Sequence, residues 1–205
     1  MAGSIFFRIL SLLSIFCLFS GCGHALPEPE AERTDLIALQ EAAGCCAYAR
    51  IFCLRASTRA ESEGVLEAAR LFAALAYSQQ IHEHLYVAAI HHLGGSYHPS
   101  HRVVLRLAAT PENLRTFLST VNYAERAPIS RLLEQKNRYA ARLMVRHAAS
   151  ENRARHWVEL LLLCSELQGS SPYQVCPRCG YLSSSRYPDP YCPQCMASAD
   201  RFRSF

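Results

Sequence analysis

Cys176-Pro177-Arg178-Cys179-Gly180-Tyr181, followed after a gap of twelve residues from Cys179 by Cys192-Pro193-Gln194-Cys195, is the stretch that decides the fold. Each C-x-x-C turn points two sulfurs at one point, and two such turns facing each other supply the closed tetrahedral S4 cage that zinc or a single iron prefers. The paired spacing is that of metal knuckles rather than of disulfides. It assigns Cys176, Cys179, Cys192 and Cys195 as ligands of one ion. It leaves the ion open: zinc would make the domain structural, whereas iron would make it an electron carrier.

Outward from the knuckles, the N-terminus carries a positive charge at Arg8, an apolar run from Ile9 to Phe19, and then Ser20-Gly21-Cys22-Gly23-His24-Ala25. That is the layout of a secretory signal. Small residues before Cys22 resemble a bacterial lipobox, so residues 1–22 are expected to be removed and Cys22 to become a lipidated N-terminus that anchors the chain to a membrane. Two alternatives stay open: ordinary cleavage after Ala25, and an uncleaved anchor over Ile5 to Cys22, which is short for a bilayer span. All three place the folded part outside the cytoplasm, in a bacterial cell envelope. Residues 23–33, with Pro27 to Glu32 rich in Pro and Glu, read as a polar tether.

The remainder is long enough for one sizeable core and a metal-stapled appendage. The formal charge is +4, and Lys136 is the only lysine. The arginines are interleaved with Glu along helical segments, so no nucleic-acid partner is expected. Outside the knuckles the body has Cys45, Cys46, Cys53 and Cys164. Cys46 and Cys53 lie too far apart on one helix to be bridged, so any disulfide must be long-range, with Cys164 the favoured partner.

From Thr34 to Leu167 the pattern is helical. Leu36, Leu39, Ala43, Cys46, Ala47, Arg50 and Leu54 recur at the spacing of an amphipathic helix, with Thr34 as N-cap and a stop near Glu63-Gly64. Val65 to Leu93 places Ala69, Phe72, Ala73, Ala76, Gln79 and His82 along one face and ends at Gly94-Gly95. Thr110-Pro111-Glu112 opens a third helix with Pro at its first position, and Pro128 predicts a kink or break in it. The fourth runs from about Arg138 to Leu167, ending near Gly169. Two helix pairs joined by a longer connection, Ser96 to Ala109, make an all-α four-helix bundle of the ferritin-like type over 34–169.

Cys-Pro-Arg-Cys-Gly-Tyr, a Ser/Pro-rich connection, Cys-Pro-Gln-Cys and Phe202 together resemble the C-terminal rubredoxin-like domain of the rubrerythrin family, here residues 170–205. One departure is Met196, where that family often has Gly, and it favours zinc. The body is similar in order and spacing as well: Ala49-Arg50, the break at Gly64, Ala69-Arg70-Leu71-Phe72 and His82, then Asn113-Leu114 and Ala141-Arg142-Leu143-Met144. The resemblance implies electron transfer from a rubredoxin-type iron to a di-iron site where peroxide is reduced, a dimer, and an unnamed redox partner.

A ferritin-like di-iron site takes a Glu from each of two helices and a Glu-x-x-His from each of the other two. The family's spacing puts the first lone Glu at Cys46 and the first Glu-x-x-His at Gln79 and His82. It puts the second carboxylates at Val121 and Ala124, and the last Glu-x-x-His at Glu151 and Ala154. Only His82 and Glu151 are good ligands, so a di-iron centre is not expected. Gln79, His82 and Glu151 are instead expected to form a hydrogen-bonded network, with Cys45, Cys46 and Cys53 as small filling. His84, His91, His92, His98 and His101 read as surface residues. Three functions stay open: a rubrerythrin-like metal protein that has lost its di-iron centre, an active peroxide reductase with a divergent site using Cys46, His82 and Glu151, and a zinc-stapled structural or binding module.

Overall fold

A computed structural model describes residues 29–99, 105–120, 132–133, 137–163, 173–185 and 189–205, with side chains from residue 33. Cys22, His101, Val121, Ala124, Pro128 and Cys164 lie outside the described residues, so the expectations placed on them are not met or refuted here.

Helix α1 spans Pro29–Ser62. It starts five residues before Thr34, so Thr34 is not its N-cap, and the last part of the expected tether is helical. A proline at the first helical position lacks only an N–H that would have no partner there. Helix α2 spans Leu66–His92, α3 Thr110–Thr120 and α4 Arg138–Leu163. Helices α1 and α2 form a long hairpin turned at Gly64, whose φ of 75° is the left-handed value that glycine adopts without strain. The buried stripe of α1 is Ala38, Leu39, Ala42, Ala43, Cys46, Ala49, Cys53, Ala56 and Ala60. Its abundance of alanine lets α2 approach closely along the whole length. Leu54, expected on that stripe, is instead 50% exposed, because Cys53 and Phe52 take the core-facing angle at that turn.

Two buried clusters follow. One joins the ends of α1 and α2 to α3, the C-terminal half of α4 and the tail domain through Phe52, Phe72, Phe117 and Val158. The other, at the opposite end, joins Leu39, Tyr86, Ile90, Leu132 and Met144. Polar caps fix the joints. Glu63 accepts hydrogen bonds from the backbone N–H and the hydroxyl of Thr110 at 2.9 and 2.7 Å, tying the end of α1 to the start of α3. Asn137 caps α4, accepting from the Ala140 N–H at 3.0 Å, and donates to the buried Asp35 of α1 at 2.6 Å.

The tail carries a three-stranded antiparallel sheet of β1 (Tyr173–Val175), β2 (Leu182–Ser184) and β3 (Arg203–Ser204) in the order β2-β1-β3. Val175 pairs with Leu182 and Arg203, and the knuckles hang from this sheet. Trp157 of α4 meets Tyr173 edge-on at 5.7 Å, and Tyr77 of α2 packs on Phe205 at 5.6 Å, so the sheet rests on the bundle.

Candidate metal centres

The two knuckles have the same backbone. In the first, the Gly180 N–H donates to the Cys176 carbonyl at 2.9 Å, and in the second the Met196 N–H donates to the Cys192 carbonyl at 2.9 Å. Both last residues are left-handed, Gly180 at φ 77° and Met196 at φ 59°. Met196 thus adopts the left-handed conformation that Gly180 has at the matching place in the first knuckle, with its side chain out in solvent.

The four sulfurs lie within 4.8 Å of one another. Cys176 Sγ is 3.6 Å from Cys195 Sγ, and Cys179 Sγ is 3.5 Å from Cys192 Sγ. Four thiolates at about 2.3 Å from one zinc stand roughly 3.8 Å apart, so the cage fits one tetrahedral ion. Among the described residues it is the only group of three or more His, Cys, Asp or Glu donors gathered this closely. The electrostatics already favour one thiolate: the Cys179 thiol and the backbone N–H groups of Arg178 and Cys179 donate to Cys176 and draw it down to about 5. Cys179, as donor beside that charge, is pushed up. Burial pushes Cys192 up to about 11. A bound cation reverses these costs by deprotonating the thiols outright.

The cage is seated on the bundle by its own backbone. His82 Nε2 lies 3.0 Å from the Cys179 carbonyl, and the carbonyl can only accept, so Nε2 carries the proton and donates. One turn earlier on α2, Ser78 Oγ donates to the Gly180 carbonyl at 2.6 Å. From α4, Ser150 Oγ donates to Gln194 Oε1 at 3.1 Å, and Gln194 Nε2 donates to the Arg146 carbonyl at 3.2 Å. Each knuckle is therefore gripped by a different helix. A cavity of about 180 Å³ is lined by Arg146, Arg178, Cys179, Cys195, His82 and His147, among others.

Of the positions that the family's spacing picks out, Cys46, Gln79, His82, Glu151 and Ala154 are all buried. The structure adds His147, which the sequence analysis passed over although it stands one turn before Glu151 on the same face of α4. The His147 and His82 rings are 4.2 Å apart. His147 Nε2 faces Cys46 Sγ at 3.9 Å, and its Nδ1 is 3.0 Å from the Tyr86 hydroxyl. Burial holds the two imidazoles and the Cys46 thiol neutral: His82 falls to about 4, His147 well below the ordinary imidazole value, and the Cys46 thiol well above its own. Cys46 and Cys53 are buried, as small filling would be, whereas Cys45 is exposed and fills no interior space. His84, His91, His92 and His98 are on the surface as expected.

No protein-family model and no curated protein matches the chain. Three solved structures of nigerythrin, a rubrerythrin-family protein, do match. The mixed-valence state aligns with a TM-score of 0.76 at 22% identity, the fully reduced, all-ferrous state with 0.77 at 21%, and the partially reduced state with 0.76 at 22%. Each alignment covers 83% of this chain and 86% of the nigerythrin chain. The chain has the nigerythrin fold. The resemblance read from the sequence therefore holds for the architecture, bundle and rubredoxin-like tail alike.

Nigerythrin's irons set a test for the bundle centre, and the described residues of this chain supply only part of what it asks. Two irons held between helices need several carboxylates to bridge them and balance their charge. Of the described positions at the centre, Glu151 alone supplies one, beside a thiol, an amide and a methyl group. Val121 and Ala124, the positions that the family's spacing picks out in the third helix, are not carboxylates and lie outside the described residues.

Proposed function

We propose that this is an exported rubrerythrin-like metal protein that holds one iron or zinc in its four-cysteine cage and has given up the di-iron, peroxide-reducing centre of its ancestry. The observation that carries this reading is the contrast between the two centres: a complete S4 cage, and a set of described positions at the bundle centre of which Glu151 alone is a carboxylate. Iron in the cage would supply one-electron chemistry, and zinc would supply a staple. The chain's own residues then act as scaffold and insulation. Cys179 and Gly180 seat the cage through their carbonyls, and His82 fixes its distance from the bundle. A lipid on Cys22 would hold the assembly at a membrane.

Metal analysis of the mature protein with its visible spectrum is the test. Cys176→Ser should remove the cage metal while bundle helicity stays nearly intact, because the knuckles depend on their ion and the helices do not. Unchanged metal content in that variant would remove the basis of the assignment. For the anchor, Cys22→Ser should release the protein from membranes. A variant that stays bound and uncleaved would point to a signal anchor.

A further inference from the structure

We propose that Cys46, His147 and His82 form a second metal site inside the bundle, for a single borderline or soft ion of the Zn(II) class, in place of the iron pair that the carboxylate-poor centre cannot hold. The argument starts from the two imidazoles. A histidine that serves a metal has its outer nitrogen tied to an oxygen, which fixes the ring and leaves the inner lone pair for the ion. Both rings here are held that way. His82 Nε2 donates to the Cys179 carbonyl at 3.0 Å, and His147 Nδ1 meets the Tyr86 hydroxyl at 3.0 Å. The inner atoms are then His82 Nδ1 and His147 Nε2.

His82 Nδ1 is the independent sign of a ligand. The residue is 3% exposed, and this nitrogen has no hydrogen-bond partner. A buried acceptor without a donor has lost its water and gained nothing in exchange. Nε2 is taken by the knuckle, and the ring that carries Nδ1 stands 4.2 Å from the His147 ring, centre to centre. Cys46 Sγ supplies the third donor, 3.9 Å from His147 Nε2. Sulfur and nitrogen ligands of one tetrahedral zinc stand roughly 3.6 Å apart, so that pair is close to its bound spacing. The three donors are less tightly gathered than the four cage sulfurs, which lie within 4.8 Å of one another.

Donor chemistry chooses the ion. One thiolate and two imidazoles suit Zn(II) or Cu(I), whereas Mg(II), Mn(II) and paired irons call for oxygen ligands. Binding releases the Cys46 thiol proton to solvent, one proton per ion, and leaves one positive charge on a zinc–thiolate centre that the buried Glu151, one turn beyond His147, can balance. The cavity lined by His82 and His147 provides the entry path.

The inference does not depend on the cage being filled, and the test separates the two. The mature full chain is stripped of metal and titrated with Zn(II) against a chromophoric chelator, and bound zinc is then counted after desalting. The expected result is two zinc ions per chain in the wild type. One ion should remain in Cys46→Ala and one in His147→Gln, each checked for unchanged helicity, and one in Cys176→Ser, which loses only the cage. With Co(II) as probe, the thiolate charge-transfer band left in Cys176→Ser should vanish when Cys46→Ala is added. A wild type that binds one zinc ion, or either bundle variant that still binds two, would overturn the proposal. Cys176→Ser retaining both would count against the cage alone.

Discussion

Replacing Gly180 with alanine tests how the knuckle is held on the bundle. The position has φ 77°, and a Cβ built there lies 2.5 Å from His82 Nε2. That ring cannot swing aside freely, because its other face is packed on His147. Three costs combine: a left-handed alanine, about 1–2 kcal/mol, and loss of the His82–Cys179 and Ser78–Gly180 hydrogen bonds, about 1 kcal/mol each. The sum is roughly 3–4 kcal/mol. In a chain of this size that corresponds to a fall of roughly 6–16 °C in the transition that includes the tail. The assay is calorimetry of the zinc-loaded protein. A double-mutant cycle with His82→Ala isolates the contact: without the imidazole, Gly180→Ala should cost only the left-handed part and whatever remains of the serine bond. An unchanged melting transition for Gly180→Ala, or an equal loss with and without His82, would refute the claim that this ring and this glycine set the docking distance.

Met196→Gly should stabilise the metal-loaded tail by about 1 kcal/mol, since φ 59° costs an L-residue what glycine does not incur and the methionine side chain is 69% exposed; slower loss of cage metal to a chelator is the readout. Cys46→Glu combined with Gln79→Glu restores two carboxylates without their companions and should destabilise the bundle by roughly several kcal/mol per buried ion, measured by urea unfolding. Glu63 is held below the ordinary carboxylate range chiefly by the Thr110 hydrogen bonds. Its folded pKa is depressed, so its contribution is present above the unfolded value and fades as pH falls through the folded one. Wild type minus Glu63→Ala should therefore show a stability difference at neutral pH that vanishes in acid.

How much was legible follows from what each feature depends on. The cage was legible because its ligands come from two short turns whose spacing fixes geometry locally. The hairpin of α1 and α2 was legible from the alanine-rich period and the break at Gly64. The start of α1 was misread because a proline can open a helix as well as end one, and Pro29 does the former. Leu54 failed for a rotational reason: over a long helix the stripe drifts, and Cys53 inherits the inward angle. His147 is not picked out by the family's Glu-x-x-His offset, because it stands instead four residues before Glu151. The docking of Cys179 on His82, separated by 97 residues, has no local signature at all. Neither does the orphaned Nδ1, which exists only because the carbonyl claims the other nitrogen.

The central claim is that the chain keeps the one-ion cage and lacks the iron pair. Its most direct test is anaerobic loading of the mature protein with Fe(II), followed by re-oxidation, iron counting and Mössbauer spectroscopy. The account predicts one iron per chain, with the signature of a tetrathiolate site that disappears in Cys176→Ser. An exchange-coupled diferric pair that survives in Cys176→Ser would contradict it.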